Sequence, residues 1–361
     1  MENMGQVDSK FWKDKRVFVT GHTGFKGSWM TLWLQSLGAI VTGYSFEPNT
    51  SPNLFKLAAV EQRAKSIFAD IRDFERLKLE ICAAKPEIVI HMAAQALVRK
   101  SYDNPIMTYE TNVMGTVHLL EAVRRVDSVR AVLIVTSDKC YENKEWQWGY
   151  RENDRIGGFD PYSNSKGCAE LVTSAYRDSY FAANEYAKHG VALASARAGN
   201  VIGGGDWSAD RLIPDVLRAL SKGEIVKIRN SNSVRPWQHV LEPIAGYLML
   251  SQALYEHGVE YAGPWNFGPL LGDTKSVDWV VTRICEIWGG EAAWETLQIS
   301  QQHEAQYLKL DCTKAIDILK WMPRWDLETA LLNVVEWHRK YLECCDMNEK
   351  TLQQINEYQS L

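Results

Sequence analysis

Arg16-Val-Phe-Val-Thr20-Gly21-His-Thr-Gly24-Phe-Lys-Gly27-Ser28-Trp-Met-Thr-Leu-Trp-Leu34 is the stretch that decides the fold. An apolar, β-branched run ends in three glycines spaced three apart and passes into a helix-like stretch from Ser28 to Leu37. A second strand-like run, Ala39 to Tyr44, completes a βαβ unit. Lacking Cβ atoms, Gly21, Gly24 and Gly27 let backbone amides approach a phosphate at the positive end of that helix. A glycine turn used only for packing reads the same in isolation. The position directly after the first strand favours a dinucleotide's pyrophosphate.

The alternation continues outward. Ser66–Ala69, Glu87–Ile90, Ala131–Thr136 and Val191–Ser195 read as strands, separated by helices over Phe74–Ala84, about Pro105–Arg125, and from Pro161 toward Tyr186. Repeated βα units with apolar strands predict an α/β chain with a Rossmann-like, doubly wound parallel sheet and a smaller mixed α/β C-terminal substrate lobe. The expected division is 11–200 for the dinucleotide-binding domain, with a return of 236–256, and 201–235 plus 257–350 for the lobe. Trp321 and Trp325 are expected to pack that lobe, and the polar residues from Asn348 onward to form a frayed helix.

Composition bounds the function. The 361 residues are 46% hydrophobic and 24% charged, with no apolar run near the ~18 residues of a membrane helix. The first ten residues lack a basic segment followed by an apolar run, so a cytoplasmic address is expected. Net charge −5 disfavours nucleic acid as a partner. Seven cysteines without C-x-x-C spacing, and histidines without ligand spacing, predict reduced thiols and no metal.

The chemistry concentrates around residues 137–166. Tyr162 and Lys166 are four apart on one expected helix, hence on one face. A phenol of pKa ~10 is a poor base near neutrality, and a nearby ammonium stabilises its phenolate. Ser137-Asp138-Lys139 follows the fifth strand, at the sheet end where open α/β folds build their sites. Asp138 and Lys139 add an acid/base pair that a simple reductase or epimerase does not need.

These motifs together resemble the extended short-chain dehydrogenase/reductase superfamily. The resemblance implies a cofactor site built from Gly21, Thr23, Gly24, Phe25, Lys26 and Gly27, from Ser45, Asp70 and Ile71, from Ala93, Ala94, Gln95 and Asn112, and from Tyr162 and Lys166. Asp70 matches the position that bonds the adenine, Ser137 the one that bonds the reacting sugar hydroxyl, and Lys166 reaches the nicotinamide ribose. The acid expected on the ribose hydroxyls is replaced by Ser45, with Glu47 two places late. No Arg or Lys stands there for a 2′-phosphate, so NAD is expected over NADP.

Within that superfamily, Ser137-Asp-Lys-Cys-Tyr-Glu-Asn143, Phe159-Asp-Pro-Tyr-Ser-Asn-Ser-Lys166, Arg197-Ala-Gly-Asn-Val-Ile-Gly-Gly-Gly-Asp-Trp207 and Arg235-Pro-Trp-Gln-His-Val240 are similar to the nucleotide-sugar 4,6-dehydratases. Lys139 stands where those acting on dTDP-glucose and GDP-mannose carry Glu, and the resemblance of these segments taken together implies CDP-glucose as the small-molecule substrate. The resemblance implies an internal redox reaction used in bacterial deoxysugar and O-antigen synthesis. Tyr162 would take the C4 hydroxyl proton, Asp138 would serve as acid and Lys139 as base, with those two roles exchangeable. Asn200, Arg211, Arg235 and Trp237 are the substrate candidates, Arg324 a weaker one, and the loop Tyr141–Trp148 either covers the sugar or packs on the surface. A helix pair near 106–125 and 162–186 matches the face through which related enzymes form homodimers. A nucleotide-sugar 4-epimerase and a non-catalytic NAD-binding sensor remain as alternatives.

Overall fold

The computed structural model describes residues 5–297 and 307–361. Ala131–Val135 is buried at every position, as a strand covered on both faces must be. Its residues alternate between two cores: Ala131, Leu133 and Val135 enter one, Val132 and Ile134 the other. In chain order the strands are β1 (Arg16–Thr20), β2 (Ile40–Ser45), β3 (Lys65–Phe68), β4 (Ile88–His91), β5 (Ala131–Val135), β6 (Ala192–Ala198), β7 (Asn200–Ile202), β8 (Val226–Ile228), β9 (Val234–His239), β10 (Gly263–Phe267), β11 (Thr274–Ser276) and β12 (Trp294–Thr296). Seven of them form one sheet in the order β10-β6-β5-β4-β1-β2-β3, every pairing parallel. The chain runs outward from β1 to β3 and returns on the other side of β1 with β4. That reversal opens a crevice at the carboxyl ends of β1 and β4.

The smaller lobe holds the sheet β11-β9-β7 and the pair β12-β8. They are packed with the helices Leu212–Ser221, Val277–Trp288 and Leu327–Leu342 around Ile213, Val216, Trp237, Val281 and Leu331. Helix Leu241–His257 lies against β5 and β6, in the region expected to return to the large domain.

Several expectations are corrected. The first helix begins at Phe25, three residues early, because Gly24 takes the N-cap position. The helix expected over 105–125 is interrupted: Pro105–Tyr109 and Gly115–Val123 flank a π-helical turn at Glu110–Met114. The helix from Pro161 ends at Ser179, and Tyr186–His189 is a separate turn. Gly263–Phe267, assigned above to the lobe, pairs with β6 in the large sheet, its Trp265 and Phe267 buried in that sheet's core. The C-terminal helix, Met347–Gln359, is not frayed: Met347, Thr351, Gln354, Ile355 and Tyr358 are buried. Trp321 and Trp325 do pack, but into the large core, beside Phe267 and Tyr358 respectively.

Candidate active site

A cleft of about 1710 Å³ runs along the carboxyl ends of the sheet and into the lobe. One ligand site usually occupies ~300–1,000 Å³, so this cleft has room for two nucleotides side by side. At one end Gly21, Gly24 and Gly27 line it. Gly21 has φ +76°, and a Cβ there would lie 2.7 Å from Ala93 N. A Cβ on Gly27 would lie 2.0 Å from Gly21 O. Gly24 caps the Phe25–Ser36 helix without a side-chain hydrogen bond, so the first-turn amides carry no side-chain cap. Open amides at the positive end of a twelve-residue helix, with Cβ-free approach, fit a pyrophosphate.

Thr23, Phe25, Lys26, Ser45, Ile71, Ala93, Ala94 and Gln95 also line this end. Thr23 Oγ1 lies 2.9 Å from Ser45 Oγ and donates to Phe46 O at 2.8 Å, tying the glycine loop to the end of β2. Thr20 Oγ1 accepts from Met92 N and Ala93 N, both at 3.1 Å, and contacts His91 Nδ1 at 2.7 Å, which fixes the loop after β4. Two expected cofactor residues stand behind the wall rather than on it. Asn112, in the π turn, accepts from Gln95 N at 2.8 Å and donates to Gln95 O at 3.0 Å and Ser165 Oγ at 2.8 Å. Asp70 is engaged by Arg72, whose Nη2 is 2.7 Å from Oδ2; against the upward push of partial burial, Arg72 holds that carboxyl below its ordinary range.

The centre of the cleft is the Pro161–Ser179 helix meeting the end of β5. Asp160 caps that helix, accepting from Ser163 N at 3.0 Å, and Pro161 fills its first position, so Tyr162 and Lys166 fall on its opening turns. Both line the cleft, with only 9% and 6% of their surface exposed. Lys166 Nζ reaches Val135 O at 3.4 Å, and burial lowers its ammonium to about 8. Burial pushes the Tyr162 phenol up; the nearest opposing influences are the Lys139 ammonium, a hydrogen bond with Ser137 and Arg211. Lys139 and Arg211 thus bear on the phenol, and Lys166 lies one turn along the same helix.

Ser137 and Lys139 line the cleft, and Asp138 sits behind them, fully buried. Ser137 Oγ donates to Asp138 Oδ1 at 3.0 Å, Lys139 Nζ lies 3.4 Å from the same oxygen, and Oδ2 has no partner. Lys26 stands at the floor between cofactor and reaction ends. Burial, with Lys166 and Arg211 as further positive neighbours, lowers it to about 7.

On the lobe side Asn200, Arg211, Arg235 and Trp237 line the cleft. Asn200 pairs with Trp237 across β7 and β9. Arg211 Nη1 binds Asp206 Oδ2 at 2.9 Å, Arg235 is 5% exposed, and Trp237 Nε1 donates to Lys275 O at 3.0 Å. Arg324 is not a site residue: its Nη1 donates to Tyr358 O and its Nη2 to Gly5 O, both at 3.1 Å, far along the chain from the cleft wall. The sequence reading missed Arg99 and Arg229, which line the cleft and share Asp210 at 3.0 and 3.2 Å. Both arginines lie outside the quoted motifs, so no local pattern singled them out. The loop after Cys140 is built on stacked rings, Tyr141 against Tyr150 at 5.1 Å and Trp146 against Tyr150 at 5.2 Å, with Tyr141 and Glu142 on the cleft wall.

Residues 18–333 match the profile of the family described as GDP-mannose 4,6 dehydratase. The chain belongs to that family. It is 55% identical over 354 residues to CDP-glucose 4,6-dehydratase of Salmonella typhimurium, covering 98% of this chain and 99% of that protein. It is 26% identical to a probable dTDP-glucose 4,6-dehydratase of Sinorhizobium fredii, covering 90% of this chain and 92% of that protein. Among solved structures, the dTDP-glucose 4,6-dehydratase DesIV of Streptomyces venezuelae, with NAD and TYD bound, superposes with TM-score 0.78 at 23% identity. The alignment covers 92% of this chain and 99% of that one. These superpositions carry the fold; the sequence identity carries the family.

Proposed function

We propose that this chain is a CDP-glucose 4,6-dehydratase, a hydro-lyase that converts CDP-D-glucose to CDP-4-dehydro-6-deoxy-D-glucose and water. The observation that supports it most is Ser137 and Lys139 lining one cleft with Tyr162 and Lys166, Asp138 buried behind them, read together with 55% identity to a protein bearing that name. Asp138 and Lys139 are the groups a 4-epimerase would leave without work.

NAD fits the glycine end of the cleft, where Gly21, Gly24, Gly27, Thr23, Ser45 and Ile71 would hold it. When bound it supplies the oxidising power at C4 and returns the hydride at C6, so the reaction is redox-neutral. The chain's own residues handle the protons. Tyr162 takes the C4 hydroxyl proton, with Ser137 orienting that oxygen and Lys139 and Lys166 supplying positive charge. Once C4 is a ketone the C5 proton is acidic. Lys139, on the wall and relieved of its own proton by Asp138 through the 3.4 Å contact, would take the C5 proton and deliver it to the departing C6 hydroxyl, and the proton that Tyr162 took from the C4 hydroxyl would pass to C5 as the hydride is returned to C6. The C6 oxygen leaves as water.

Arg235, Asn200 and Arg211 line the cleft and would hold the substrate diphosphate, a fork-to-phosphate match for the arginines. No helix of the described residues is long and apolar enough to cross a membrane, which suits the cytoplasmic address proposed for deoxysugar synthesis. A homodimer is proposed through the face where Ile106 is 72%, Met114 45% and Leu171 60% exposed beside an apolar groove.

The test is incubation of protein and NAD with CDP-, dTDP-, UDP- and GDP-linked glucose, followed by mass spectrometry. Loss of water from the CDP sugar is the expected result. A mass-neutral conversion to the galactose epimer, or no change with any donor, would overturn the reading.

A further inference from the structure

A third charged residue shares the Pro161–Ser179 helix with Tyr162 and Lys166. Glu170 follows Lys166 by one turn, and both of its oxygens are consumed inside the protein. Oε1 accepts from the Thr136 hydroxyl. Oε2 accepts from Ser195 Oγ at 2.7 Å and from Arg197 Nη2 at 2.7 Å, in an ion pair whose two side chains are each 4% exposed. Arg197 Nη1 continues to the Tyr141 hydroxyl at 2.7 Å and Glu152 O at 3.0 Å.

The placement is specific to the site. Val135 and Thr136, the last two residues before Ser137, are bonded respectively to Lys166 and to Glu170, so two consecutive turns of the helix grip the strand end that carries the serine. Burying an ion pair gives little net stability over an apolar pair of the same shape, so stability alone does not account for one directly beneath a lysine of the cleft. The charged and titratable groups around Lys166 come from several elements. Lys26 lies on the Phe25–Ser36 helix, His91 at the end of β4 and Cys140 after β5, while Arg197 on β6 bears on Glu170. Burial keeps His91 neutral, lowering it to about 3, and pushes the Cys140 thiol up. Glu170 is thus the carboxylate that supports the Lys166 ammonium, and Asp138 bears instead on Lys26 and Tyr162.

We propose that Glu170, bonded to Arg197, is a positioning residue of the reaction: it clamps the Ser137 strand end to the catalytic helix and sets a carboxylate one turn from Lys166. The proposal rests on the reading of Ser137, Tyr162 and Lys166 given above. Neither Glu170 nor Arg197 lies on the cleft wall, so neither touches substrate.

The experiment is the pH dependence of kcat for CDP-glucose with NAD in wild type, Glu170→Gln and Glu170→Asp. Removing the negative charge lets Lys166 lose its proton at lower pH. The high-pH limb of Glu170→Gln should move acidward by about one unit, with KM little changed, and Glu170→Asp should restore the limb. Should the single variant fail to fold around an unpaired Arg197, the pair Glu170→Gln with Arg197→Met removes both charges and should show the same shift. An unmoved limb, or an equal loss at every pH as a purely structural role would give, overturns the proposal. Absence of turnover in the wild-type control would instead strike the functional reading, and the two failures are separate.

Discussion

Tyr162 enters the site with its phenol pushed up by burial, so the protein must supply positive charge before it can accept a proton. Lys139 and Arg211 bear on it directly, and Lys166 is held one turn away by Val135 O. Tyr162→Phe should therefore lower kcat by roughly 10²–10⁴-fold, the usual contribution of a positioned acid/base, while leaving the thermal midpoint near wild type. Lys139→Ala separates the steps. Reduced cofactor should still appear on addition of CDP-glucose, more slowly because Lys139 also bears on the phenol, but solvent deuterium should fail to enter C5; normal exchange would remove Lys139 from the base role. At this scale the sequence was informative where residue type and spacing coincide, as in Tyr162 and Lys166. It did not show that Asp138, expected to serve as the acid, turns its carboxylate behind the wall, because a one-residue step in a tight turn decides which side chain faces the cleft.

Elements were legible where apolar periodicity is their cause. The fully buried β5 announces itself by five consecutive apolar residues, and the helix expected over Phe74–Ala84 keeps those bounds in the structure, capped by Asp73 and ended by a left-handed Lys85. The π turn at Glu110–Met114 left no such mark, since one extra residue inside a helix does not disturb a pattern read over the whole stretch from Pro105 to Arg125. The C-terminal helix was misread for a different reason. Its inward face is polar but partnered: Lys350 binds Glu336 at 2.7 Å, Thr351 accepts from Trp337 Nε1 at 3.0 Å, and Gln354 donates to Asn333 O at 2.9 Å. Tyr358 completes the clasp, donating to Glu242 Oε2 at 2.6 Å while its ring meets Trp33 and Trp325 edge-on. Tyr358→Phe should cost about 2 kcal/mol in urea unfolding, the worth of a buried hydrogen bond to a carboxyl group. A loss below a few tenths would mean the ring, not the hydroxyl, carries the contact.

Over the whole molecule, buried imidazoles set the response to acid. Burial lowers His22 and His338 to about 4 and His91 and His239 to about 3, so all four stay neutral in the folded protein well below the ordinary histidine range. The unfolded chain takes up those protons near pH ~6.5, and stability must fall as pH drops from there toward the folded values. Glu242 acts with the opposite sign. Burial raises its carboxyl to about 7, so between ~4.5 and 7 the folded state holds a proton the unfolded state has released, and stability there rises as pH falls. Four histidines against one glutamate leave the histidines in control between about pH 6.5 and 5. The thermal midpoint should therefore decline steeply across that window, in scanning calorimetry at fixed ionic strength, and rise more gently above about pH 7, where folded Lys26 and Lys166 release protons that the unfolded chain keeps. Glu242→Gln removes the opposing carboxyl and should steepen the decline, whereas a midpoint independent of pH in both proteins would show that the imidazoles are wetter than their packing against Phe55, Trp29 and Trp288 implies.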